Sequence, residues 1–104
     1  GPVLEAADGE SALAIIASQP VDLIISDLHM PKMSGLELLR AVRANPDFQD
    51  LPFIIASGEA DKKIIDEATT ARASEYLLKP FSPDAVQASV ERLLSRSGAG
   101  RRRV

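Results

Sequence analysis

The chain of 104 residues contains no cysteine and no tryptophan, a single histidine, and only three phenylalanines and one tyrosine. Without cysteine there can be no disulfide, no thiolate zinc site and no cysteine nucleophile. One histidine excludes a multi-histidine metal centre. No apolar run approaches the roughly 18–20 residues that cross a bilayer, and no basic segment precedes an apolar one as in a signal peptide. What remains is ordinary: 45% hydrophobic and 26% charged residues, the balance of a globular chain rather than a disordered or fibrous one. We expect one small cytoplasmic domain.

Charge of one sign is scarce along most of the chain. Three of the twelve Lys and Arg are Arg101, Arg102 and Arg103, so residues 1–97 hold nine bases against all fifteen acids, a balance of −6. A body of that sign lacks the basic face that phosphate backbones need, so neither a nucleic-acid partner nor a membrane is expected. Residues 97–104 read as a disordered tail or linker, and Gly1-Pro2 as the scar of a removed tag. The domain is expected to occupy residues 3–96.

Four short apolar runs alternate with four helical patterns. The runs are residues 3–6, 21–26 (VDLIIS), 51–56 (LPFIIA) and 76–78 (YLL). The middle two are almost continuously apolar and rich in isoleucine, as strands are when both faces of a parallel sheet are covered. Helix signals stand between them. Asp8 precedes residues 10–18; Ser34 and Glu37 have capping-box spacing; Ser57-Gly58-Glu59 precedes residues 61–73. Ser82-Pro83-Asp84 is a cap, a proline in the first turn and an acid facing the helix dipole. The order βαβαβαβα implies an α/β fold with a parallel sheet and right-handed crossovers.

In such a sheet, chemistry gathers beyond the carboxyl ends of the strands. Asp27, Ser57 and Lys79 stand at three successive ends. Taken singly, Asp27 reads as a turn residue, Ser57 as a helix cap and Lys79 as a solvated lysine. Taken together they can hold a phosphoryl group: the carboxylate attacks, the ammonium neutralises charge and the hydroxyl donates to a phosphoryl oxygen. Met30 and Met33 are expected to pack beneath the loop rather than bind metal.

The stretch Ser26-Asp27-Leu28-His29-Met30-Pro31-Lys32-Met33-Ser34-Gly35 resembles the phosphoacceptor loop of response-regulator receiver domains, with its D-x-x-M-P-x-M-x-G pattern. Residues 76–81 (YLLKPF) resemble that family's closing strand, where the Lys-Pro bond is typically cis. Residues 53–58 resemble the strand that carries its switch Ser or Thr, and residues 3–9 its second strand and following turn. The resemblance implies a flavodoxin-like receiver fold and phosphorylation of Asp27 by a histidine kinase or phosphotransfer protein. Ser57 and Lys79 would be contact residues, and Tyr76 the aromatic switch. Mg²⁺ would be held by Asp27 and the backbone carbonyl of His29, whose side chain is expected to be idle. A phosphoacceptor of this kind is not expected to be an enzyme.

Receiver domains begin with a further strand and helix, and that strand carries an acidic pair for Mg²⁺. Nothing precedes Val3 but the Gly-Pro scar, so roughly 20–30 residues are expected to be missing, leaving four βα units. A degenerate or truncated receiver acting only by protein contact or dimerisation is therefore the alternative. Two other classes fit less well. A haloacid-dehalogenase-like phosphatase needs a second Asp where His29 stands, and residues 7–10 are too acidic for a flavin phosphate loop. Without a strand beside residues 21–26, residues 3–6 could take the vacant slot, or two chains could share elements. Apolar surface at Val86, Val90 and Leu93 would then favour a homodimer.

Overall fold

The computed structural model describes residues 3–97, together with the side chains of residues 3–95. The expectation for residues 1–2, and that for the tail 97–104 from residue 98 on, lie outside these, while Ser97 ends the last helix. Four strands form one parallel sheet in the order β1 (Val3–Ala6), β2 (Leu23–Asp27), β3 (Phe53–Ser57), β4 (Glu75–Leu78). Strand β1 lies directly against β2, with Val3 opposite Leu23 and Ala6 opposite Ser26. Thus the first of the two arrangements foreseen for residues 3–6 is the one adopted.

Sequential order with crossovers of one hand places every connecting helix on the same face. Helices α1 (Gly9–Ser18), α2 (Gly35–Ala44) and α3 (Lys62–Thr70) contribute Ala12, Ile16, Leu38, Leu39, Val42 and Ala68 to one core. It closes over Ile24, Phe53 and Ile55 of the sheet. Helix α4 (Pro83–Ser97) covers the other face alone, packing Leu93 against Leu23 and Ile54. Burial of side chains this size stabilises by about 2 kcal/mol each. Leu93, expected to be exposed, is buried, while Val90 is only partly covered. The reason is that α4 lies across the two central strands, and Arg92 pairs with Glu75 to hold it to β4.

Both central strands start two residues later than the apolar runs and end one residue later. Pro52 has no N–H to give the ladder; its carbonyl accepts from Ile24 N–H at 2.9 Å, and pairing begins at Phe53. The shift puts Asp27 and Ser57 on the last rungs of the sheet rather than in loops. Helix α3 also ends earlier than its pattern. Arg72 takes φ 71°, its N–H reaching Thr69 C=O and that of Ala73 reaching Ala68 C=O, both at 2.9 Å. This pair of bonds closes a helix in the Schellman manner, with arginine where glycine is usual.

Arg43, near the end of α2, is 7% exposed and was not foreseen in the core. Its guanidinium donates to the carbonyls of Arg72, Phe48 and Leu51 at 2.7–3.2 Å. These bonds fasten α2 to the 3₁₀ turn Pro46–Phe48 and to the α3–β4 turn. Burial first, and then the neighbouring Arg72, push its pKa below the usual guanidinium range.

Candidate functional site

Asp27 ends β2 and forms an ion pair with Lys79, the first residue after β4. Lys79 is held twice: its ammonium meets Asp27, and its backbone N–H donates to Ser57 C=O at 2.8 Å. The Lys79–Pro80 peptide is cis. One lysine therefore ties the ends of β2, β3 and β4 together. Both side chains of the ion pair are about half exposed, at 48% and 46%, so the carboxylate stays open to a reactant.

The loop after Asp27 is fixed by backbone bonds. Leu28 N–H donates to Ala56 C=O at 2.9 Å and Gly35 N–H to Leu28 C=O at 2.8 Å. A tight turn, with Met33 N–H on Pro31 C=O at 2.7 Å, holds Lys32 at φ 70°. Gly35 is required by closeness, since a Cβ there would drive into the carbonyl oxygen of Asp27. Ser34 and Glu37 form the expected capping box at 3.1 and 2.9 Å. Met30 and Met33 pack against the core as expected, Met33 filling the space above Gly9.

Ser57 and Tyr76 converge on Glu59 rather than on Asp27. The buried Ser57 hydroxyl accepts from Glu59 N–H at 3.0 Å, and the Tyr76 hydroxyl donates to Glu59 C=O at 2.9 Å. Ser57 is not a helix cap; Asp61 caps α3. His29, whose side chain was expected to be idle, places Nε2 2.7 Å from Glu59 Oε1. Glu59 thus links the loop after β2, the end of β3 and Tyr76. No sequence signal pairs it with His29, because the two meet only where loops thirty residues apart cross the sheet edge.

A cleft of about 220 Å³ opens beside the ion pair, lined by Asp27, Lys79, Ala56, Phe81 and Glu5 among others. Glu5 was not foreseen. Its signal is the alternation of β1, where Leu4 and Ala6 face the larger core and Glu5, in register with Ile25, faces the other way. Asp27 and Glu5 bring two carboxylates to one cleft. Hard oxygens of this kind suit Mg²⁺, which takes one or two carboxylates and completes its shell with phosphate oxygens and water. Among the described residues, no group of three or more His, Cys, Asp or Glu gathers to hold a metal.

A parallel α/β sheet with an acid, a buried hydroxyl and an ammonium at consecutive strand ends defines a flavodoxin-like domain with its polar site at the carboxyl edge. The response regulator receiver domain family matches residues 2–91. The chemotaxis protein CheY of Pseudomonas aeruginosa is 37% identical over 92 residues, covering 88% of this chain and 74% of that protein. The sensor histidine kinase TmoS of Ectopseudomonas mendocina is 40% identical over 98 residues, 94% of this chain but 10% of that protein. Among solved structures, the chemotaxis response regulator CheY4 of Vibrio cholerae superposes with a TM-score of 0.78 at 35% identity, covering 86% of this chain and 74% of that one. A sensor histidine kinase receiver domain from Pseudomonas aeruginosa, with magnesium coordinated in its active-site cleft, gives 0.76 at 27% identity and the same coverage. The chain belongs to the response regulator receiver domain family.

Proposed function

We propose that this receiver domain works by accepting a phosphoryl group on Asp27 and changing a protein-binding surface in response. The observation that carries the reading is the Asp27–Lys79 pair, a half-exposed carboxylate beside a fixed ammonium at the sheet's carboxyl edge. An Asp27 oxygen attacks phosphorus, and the bond from phosphorus to the donor's imidazole nitrogen breaks. That nitrogen keeps the electron pair, and an acyl phosphate remains. Lys79 offsets the added charge. Ser57 would turn its hydroxyl from Glu59 N–H toward a phosphoryl oxygen, freeing the loop that Tyr76 also holds. Asp27 and the His29 carbonyl would hold Mg²⁺, with Glu5 the second carboxylate in reach; the ion supplies charge neutralisation between the acid and the incoming phosphoryl.

The donor is a histidine kinase or phosphotransfer protein, the domain acts in the cytoplasm as a homodimer, and it is a phosphoacceptor rather than an enzyme. No helix among the described residues is long and apolar enough to cross a membrane. The test is incorporation of labelled phosphate from a small phosphodonor or an autophosphorylated kinase, with Mg²⁺. Asp27→Asn should abolish it, because the amide is no nucleophile; label retained by the Asn variant would overturn the assignment. Wild-type chain that binds a kinase yet takes up no label would point instead to a receiver acting by contact alone.

A further inference from the structure

A cleft of about 780 Å³ opens between α2 and α3, on the helical layer. Its charge is out of keeping with the chain. Residues 1–97 carry nine Lys and Arg, and five of them, Arg40, Arg43, Lys62, Lys63 and Arg72, line this one cleft. Arg43 is committed to backbone carbonyls and Lys62 pairs with Asp66 at 2.8 Å. For Arg40, Lys63 and Arg72 no ion pair is found among the described residues.

Three local choices here run against folding. Helix α3 has two lysines and no acid in its first turn, where the dipole favours negative charge. Arg72 holds a left-handed backbone that glycine would adopt without strain. The Arg72 guanidinium also lies close enough to the buried Arg43 to depress its pKa. Where several elements of a sequence contradict the fold at one place, function is the usual reason.

We propose that this cleft docks an acidic polypeptide segment of a partner protein. Lys63 and Arg72 stand at the two ends of α3, whose nine residues rise about 14 Å at 1.5 Å each, with Asp66 and Glu67 between them. A single phosphate reaches one end only, and a continuous polyphosphate would meet the two acids. An extended segment with carboxylates four residues apart spans about 13 Å and satisfies both ends. Neither Asp27 nor Lys79 lines this surface, which includes the start of the helix that follows the Glu59 loop.

The test is fluorescence anisotropy of a labelled Gly/Ser peptide carrying glutamates four residues apart, on the whole chain at low salt. Lys63→Glu should weaken binding by roughly fivefold or more, as expected when an attractive charge contact is turned into a like-charge one. Arg72→Gly should weaken it while leaving the thermal midpoint unchanged or higher, which separates lost binding from lost folding. Lys32→Glu, the same charge change outside the cleft, should have little effect. Equal weakening by Lys32→Glu would reduce the binding to general attraction and overturn the proposal. So would absence of binding, or displacement of the peptide by inorganic tripolyphosphate at equal or lower concentration, the last identifying a small-anion site instead.

Discussion

At the scale of single residues, the site depends on groups that do no chemistry. Gly35 lies so close to Asp27 that any side chain must push the backbone carbonyl of Asp27 itself. Gly35→Ala should cost about 1–3 kcal/mol in urea unfolding, the range for overpacking a tight site, and should slow phosphoryl uptake as well. A variant with unchanged stability and uptake would mean that the loop yields freely. Arg43 is the other such residue. Replacing it with leucine keeps apolar volume but leaves the carbonyls of Phe48, Leu51 and Arg72 without their donor. Each buried, unsatisfied group costs on the order of 1–3 kcal/mol, so Arg43→Leu should lose at least ~2 kcal/mol. Arg43→Lys should recover only part, because one ammonium cannot reproduce the planar fork. Full stability in the lysine variant would show that charge, not geometry, matters there.

At the scale of elements, the caps connect sequence to site most directly. Asp8 accepts from Ser11 N–H at 2.8 Å and from the Ser11 hydroxyl at 3.1 Å, and these bonds, the backbone one foremost, hold its pKa below the usual carboxylate range. A lowered folded pKa means that the cap stabilises α1 above the unfolded value and fades as pH falls through the folded one. The stability gap between wild type and Asp8→Ala should therefore be widest near neutrality and narrow on acidification below about pH 4. A gap independent of pH would show that the carboxylate charge plays no part. Caps, apolar runs and strand ends were legible in the sequence because each depends on a few adjacent residues: the Ser34–Glu37 box, the parallel pairing of the two isoleucine-rich strands, and Asp27 and Lys79 at neighbouring ends. What was not legible depends on contacts distant along the chain. The early stop of α3 at Arg72 breaks the glycine rule for helix ends. Arg43 looks like any surface arginine until three turns fold over it. His29 finds Glu59 only through the meeting of two loops.

For the whole molecule, the uneven covering of the sheet is the dominant feature. Three helices share one face and α4 covers the other alone, leaving Ile25, Leu77, Val90 and Leu94 only partly buried. Strand β1 pairs on one side only; among the described residues no strand lies on its outer side. Its sequence Val-Leu-Glu-Ala carries neither the lysine nor the proline that commonly blunts such an edge, and Val3 is 38% exposed. Leu78, 45% exposed, marks the opposite edge on β4. Pairing of two β1 edges about a twofold axis would satisfy free backbone groups in both copies and cover Val3. Glu5 weakens this contact by placing like charges near the axis, so association should be concentration-dependent rather than permanent. Sedimentation equilibrium at micromolar concentration should then show a dimer in exchange with monomer. Val3→Lys should shift it to monomer, because a lysine on the edge must be desolvated to pair, while Leu78→Lys on the far edge should leave the dimer intact. A well-folded wild-type chain that stays monomeric would defeat the argument, and dissociation by Leu78→Lys alone would move the interface to β4.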